Sequence, residues 1–213
     1  MTFYIQKFQS AAFRSTLLYG GELNPPLALE TARAPYGAEV VDAVLSDFTD
    51  GVVTSAMALP GNCFAIVREA SYVLFEMGID NVITIGNVVA NGKDQFFIDQ
   101  AKVVNDISIG FEPSKPANAH AWLTLDTGQI LDPTILPSWA YHDEGRVTEL
   151  NDAIYLSGQP CGAQFTHEPF LTGFVYHLQV VTHPIAYESF AKYSEWLEHS
   201  SIFKRNIARK REA

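Results

Sequence analysis

The chain has 213 residues, 47% hydrophobic and 12% aromatic, enough to bury one sizeable core in a single domain spanning 1–213. Charged residues make up only 18%, and the 14 glycines and 11 prolines are scattered, which excludes a disordered or low-complexity chain. The net charge of −10 is unevenly spread: residues 204–213 hold five basic side chains against Glu212, so the rest, with nine basic and 23 acidic side chains, carries −14 and disfavours nucleic acid.

No stretch approaches the ~20 consecutive apolar residues of a membrane span. The opening MTFYIQKFQSAAFRS is broken by polar and basic residues, unlike a secretory signal. The expected setting is therefore cytoplasmic, without a membrane partner, where Cys63 and Cys161 stay free of a structural disulfide. The basic end reads as a solvated, frayed helix terminus.

An N-terminal helical extension precedes residues 20–35, GGELNPPLALETARAP, whose glycines and prolines predict an irregular segment. A short helix is expected from Ala38 to Phe48, then a turn at Asp50-Gly51 and irregular or helical chain to Pro60. Residues 62–77 give the clearest helix. Ile66, Ala70, Val73, Leu74 and Met77 recur on one face, Asn62 suits the N-cap, and Gly78 suits the stop. The β-branched run 82–89 reads as a strand ending at an Asn91-Gly92 turn, and 95–104 as a second strand or a short helix. From Ala119 to Leu125 the alternation is strict, with His120, Trp122 and Thr124 on one face, and 129–134 returns as its partner. Residues 173–181 read as a further strand and 187–203 as a C-terminal amphipathic helix. Without regular βαβ alternation, the layout is α+β.

Cys63 falls in the first turn of the 62–77 helix, where orphan N–H groups and the positive end of the dipole favour a thiolate and can receive an oxyanion. For a lone cysteine, core packing is the commoner explanation. A nucleophilic thiol needs a base, and the base needs a group to orient it. His120 and Asp132 stand on consecutive strands, and the hairpin register decides whether they share a face. A two-residue loop would pair Asp132 with Leu123 and turn it away. A three-residue loop Asp126-Thr127-Gly128, with Gly128 left-handed in a bulge, pairs Asp132 with Trp122 and puts it on the His120 face. The alternatives are a half-buried His120 bonded to backbone and an Asp132-Pro133 that only starts a turn.

Other candidates carry less chemistry. His167-Glu168, His177 and His183 lack metal-ligand spacing, so no metal is expected. Cys161, in GQPCGAQ, reads as a bystander thiol. No phosphate-binding or dinucleotide motif occurs, and no cofactor is expected.

Gly61-Asn62-Cys63 opening a helix, His120-Ala121-Trp122-Leu123 on a strand, and Ile130-Leu131-Asp132-Pro133-Thr134 on the next resemble the transglutaminase-like branch of the papain superfamily, over residues 60–135. The resemblance implies a papain-like core, a nucleophile-bearing helix packed on an antiparallel sheet. It implies Cys63 as nucleophile, His120 as general base and then acid, and Asp132 as orienter. Similar arrangements serve peptidases, cross-linking and deamidating enzymes, arylamine acetyltransferases and lasso-peptide leader peptidases. The pattern differs at Met57, where a papain-like chain has its oxyanion glutamine, and it lacks the Arg-Gly-Gly-x-Cys of the acetyltransferases. The expected function is acyl transfer from an amide, peptide or protein substrate. The alternative is a binding module that keeps the fold without catalysis.

Overall fold

The computed structural model describes residues 2–21, 23–49, 55–112 and 117–181. The turn expected at Asp50-Gly51, the helix expected at 187–203, His183 and the basic end lie outside the described residues. Helix α1 (Thr2–Tyr19) leads through irregular chain to α2 (Ala38–Thr49), and a 3-10 turn at Ala56–Ala58 precedes α3 (Cys63–Glu76). Strands β1 (Asn81–Ala90) and β2 (Lys93–Asp94) form a hairpin. Next come α4 (Gln100–Ile109), β3 (His120–Leu125), β4 (Ile130–Asp132), α5 (Ile135–Glu144), β5 (Tyr155–Leu156) and β6 (Phe165–Thr172). The result is a mixed α+β fold with a six-stranded antiparallel sheet in the order β2-β1-β3-β4-β5, β6 also pairing with β1. Among the described residues, no helix is long and apolar enough to cross a membrane.

Local chemistry accounts for most boundaries. Asn91 and Gly92 take φ of 49° and 81°, as a tight two-residue β-hairpin requires. Of the ambiguous segment 95–104 only the part from Gln100 is helix, because the Asp99 carboxylate accepts from Lys102 N at 2.8 Å and so caps α4, while 95–99 is loop, folded by Asp94 Oδ1 accepting from Phe96 N and Phe97 N.

Residues 173–181 are not a strand. They form a helical turn that becomes π-helical over His177–Val181. The strand is β6, just before, and it ends at Gly173, whose φ of 84° breaks the pleat; Phe174 N then donates to Leu23 O and Leu178 N to Phe174 O. A short apolar run suits a buried strand and a buried helix alike. Pro169, which argues against a strand, is accommodated where the β1–β6 register shifts beside Gly86.

The sheet buries both faces. One face packs Ile83, Ile85, Ala121, Leu123, Leu125 and Leu131 against Val44 and Phe48 of α2 and Val67, Ala70 and Leu74 of α3. The other gathers Val88, Trp122, Ile130 and Ile135, with Tyr4 of α1 against them. There the polar atoms are mutually satisfied: Trp122 Nε1 donates to Tyr4 Oη at 2.8 Å, and Thr124 Oγ1 bonds Tyr4 Oη at 2.6 Å and Thr84 Oγ1 at 2.7 Å.

Candidate active site

The hairpin β3–β4 has the three-residue loop. Gly128 N donates to Leu125 O, Leu125 N donates to Gln129 O, and Gly128 has φ of 80°. Leu123 lies opposite Leu131 and Thr124 opposite Ile130, so continuing the register by one residue sets Trp122 opposite Asp132. Asp132 therefore shares a face with His120, two positions away.

Their side chains meet. His120 Nε2 lies 2.7 Å from Asp132 Oδ2, with both residues buried. Nδ1 is thus left free of Asp132, and His120 lines the same cleft as Cys63, whose thiol donates to Ala119 O at 3.9 Å. The other carboxylate oxygen, Oδ1, accepts from Thr134 N at 3.1 Å, Ile135 N at 3.0 Å and Thr134 Oγ1 at 3.4 Å. Asp132 does start the next helix, as an Asp-Pro pair commonly does, and its other oxygen bonds the histidine as well.

Charge follows from this geometry. Burial alone would raise the Asp132 pKa, but the charge and hydrogen bond of His120, together with His167, hold it well below the usual carboxylate range. Burial alone would lower the His120 pKa. The Asp132 charge, its hydrogen bond and the Cys63 thiol outweigh that and raise it to about 10. Phe96 stacks on the imidazole with centroids 4.5 Å apart and covers the pair from solvent.

Asn62 is not the side-chain cap expected of it. Its Nδ2 turns back to Ala58 O at 2.9 Å, and no side-chain bond caps α3. The first-turn N–H groups beside Cys63 are thereby left for another acceptor. They border a cleft of about 340 Å³ lined by Gly61, Cys63, Phe96, Phe111, His120 and Ser138, with Val180 and Val181 of the π-helical turn along one side. No Asp, Glu, Lys or Arg is among the described residues that line it. Met57, at the position of the papain-like glutamine, is about half exposed and does not line this cleft. A cavity of about 480 Å³ lies elsewhere, beside Trp139, Tyr155 and Cys161; Cys161 is an exposed thiol bonded to Ala163 O.

Sequence reasoning missed His167. From β6 its Nε2 reaches Asp132 Oδ2 at 2.9 Å, the same oxygen that holds His120. Gly86 makes the close approach of β1 and β6 possible. A Cβ there would stand 1.9 Å from Glu168 O and 2.9 Å from the Trp122 ring. The available signal was a histidine at the alternate positions it shares with apolar Phe165, Pro169 and Leu171 on an unrecognised strand. Among the described residues, no group of three or more His, Cys, Asp or Glu is arranged to hold a metal. Compared with models of protein families, with curated proteins and with solved structures, the chain matches none.

Proposed function

We propose that the chain is a thiol-dependent acyl-transfer enzyme acting on an amide or peptide bond, with a papain- or transglutaminase-like core and a reducing, cytoplasmic setting that keeps Cys63 a thiol. The observation that carries this reading is that Cys63 and His120 line one cleft while the His120 ring is bonded to the buried Asp132 carboxylate. The Cys63 proton resides on His120, which the Asp132 charge holds as an imidazolium, and the thiolate sulfur attacks the carbonyl carbon. The first-turn N–H groups of α3 receive the oxyanion, and the amide C–N bond breaks as the imidazolium gives its proton to the leaving amine. Water or a second amine then attacks the thioester, loses its proton to His120, and releases the acyl group as the thiolate leaves. Apart from Cys63 and His120, the described cleft residues are uncharged, so amides and peptides with an uncharged acyl side are the first to screen.

The test compares iodoacetamide labelling with substrate turnover. Cys63, though buried, is expected to be alkylated faster than exposed Cys161, with a pH-dependent rate, and Cys63→Ala should abolish turnover while the protein stays folded. Sluggish labelling of Cys63 and turnover unaffected by Cys63→Ala would overturn the proposal and leave a binding module that keeps the fold.

A further inference from the structure

The bond between His167 and Asp132 has no part in the chemistry just described. Asp132 Oδ2 lies 2.7 Å from His120 Nε2 and 2.9 Å from His167 Nε2. An ionised carboxylate only accepts, so each Nε2 must carry a hydrogen. His167 Nδ1 is buried without a hydrogen-bond partner, which suits a bare lone pair in a neutral ring. Aromatic walls hold that ring: Tyr155 stacks on it at 5.4 Å, and Trp122 meets it edge-on at 4.9 Å. The titratable groups facing it are Asp132, His120 and Tyr155, while the adjacent Glu168 is engaged by Lys7 of α1 at 3.2 Å.

We infer that His167 is a positioning residue: a permanently neutral Nε2–H donor that fixes Asp132 Oδ2 and shares its charge with His120. This inference rests on the acyl-transfer reading. A carboxylate that serves two donors binds each proton less firmly than one that serves a single donor, so His167 restrains the basicity that Asp132 confers on His120. An imidazolium held too firmly would be slow to protonate the leaving amine. The same contact stops the carboxylate from turning away when His120 moves between sulfur and leaving group. Burial lowers the His167 pKa and the His120 charge adds to this, only partly offset by Asp132, which agrees with a ring that stays uncharged.

The test uses the full chain. His167→Phe keeps a ring of similar size without the donor, and His167→Gln keeps an N–H that can reach Oδ2. In the Phe variant kcat is expected to fall about tenfold with KM little changed, and the alkaline limb of the rate profile to move up by about half a pH unit or more. The Gln variant should regain most of the rate and the original limb. Nitrogen NMR of the wild-type imidazoles should show His167 as the neutral Nε2–H form from pH 6 to 8, a readout that needs no substrate. A folded Phe variant with wild-type kcat and limb, or an imidazolium or Nδ1–H form at position 167, would overturn the inference. If the Phe variant does not fold, the Gln variant and the spectrum decide. Slow alkylation of wild-type Cys63 would instead count against the acyl-transfer reading, with the His167 form still measured separately.

Discussion

The two faces of β3 are equally buried and differently built. Ala121, Leu123 and Leu125 press on α2 and α3 through dispersion and area removed from water alone. His120, Trp122 and Thr124 carry polar atoms into an interior just as dry, and each is paired: His120 with Asp132, Trp122 with Tyr4, Thr124 with Tyr4 and Thr84. An apolar face degrades in proportion to the volume removed. A paired polar face fails more abruptly, because removing one partner leaves the other buried with nothing to bond. One strand can therefore hold the fold with one side and hold paired polar groups in fixed orientation with the other.

The widest separation of these roles comes from one substitution on each side of the sheet. Leu123→Ala should cost about 3 kcal/mol of unfolding free energy in urea, while the folded fraction keeps its turnover. Asp132→Asn should leave the fold cooperative and reduce turnover roughly a thousandfold, since the His120 ring loses its charged orienter. If Leu123→Ala lowers kcat of folded protein as much as Asp132→Asn does, the two faces are not independent.

The legible parts of the molecule were those where one residue type meets a local rule. Apolar spacing placed α3, β-branched residues placed β1, and the length of the Asp126-Thr127-Gly128 loop placed Asp132 on the correct face. What stayed hidden depends on distant partners. Nothing near Pro169 shows that a register shift beside Gly86 accepts it into a strand, so β6 and His167 were missed together. Nothing near Gly173 shows that Leu23 O waits for Phe174 N, so a helical turn read as a strand. Asn62 had the composition of a cap, but its side chain found Ala58 O instead.

Acidity separates the faces more gently. His167 and His177 are buried with pKa values lowered from 6.5, His177 to about 3 through burial and the Arg68 charge. A lowered histidine contributes stability that is full above 6.5 and is lost as pH falls, here roughly 1.4 kcal/mol per pH unit for each histidine. Asp132, also lowered, contributes stability that is full above its unfolded value of 3.8 and is lost below it. His120 has the opposite sign: raised to about 10, it stabilises fully below 6.5 and loses that contribution as pH climbs toward 10. Urea unfolding from pH 4 to 10 should show a maximum near 6.5 with a steeper acid limb than alkaline limb. A maximum near pH 9 would mean that His120 is not held as an imidazolium in the folded protein.

The smallest expected change acts on register rather than on either face. Gly128 sits at φ 80°, and a Cβ there would meet the end of the Ile5 side chain at 2.9 Å, a flexible neighbour that can move. The backbone cannot move as easily, because a β-branched residue resists the left-handed region. Gly128→Val should therefore cost about 2 kcal/mol of stability. Its effect on turnover should be larger than that loss explains, since relaxing the strain draws the loop toward two residues and turns Asp132 from His120. Gly128→Asn tests the cause, because asparagine tolerates positive φ and should recover turnover despite its added side chain. If Val and Asn variants lose equal turnover, the damage comes from the side chain against Ile5, and the loop conformation is not what holds Asp132 in place.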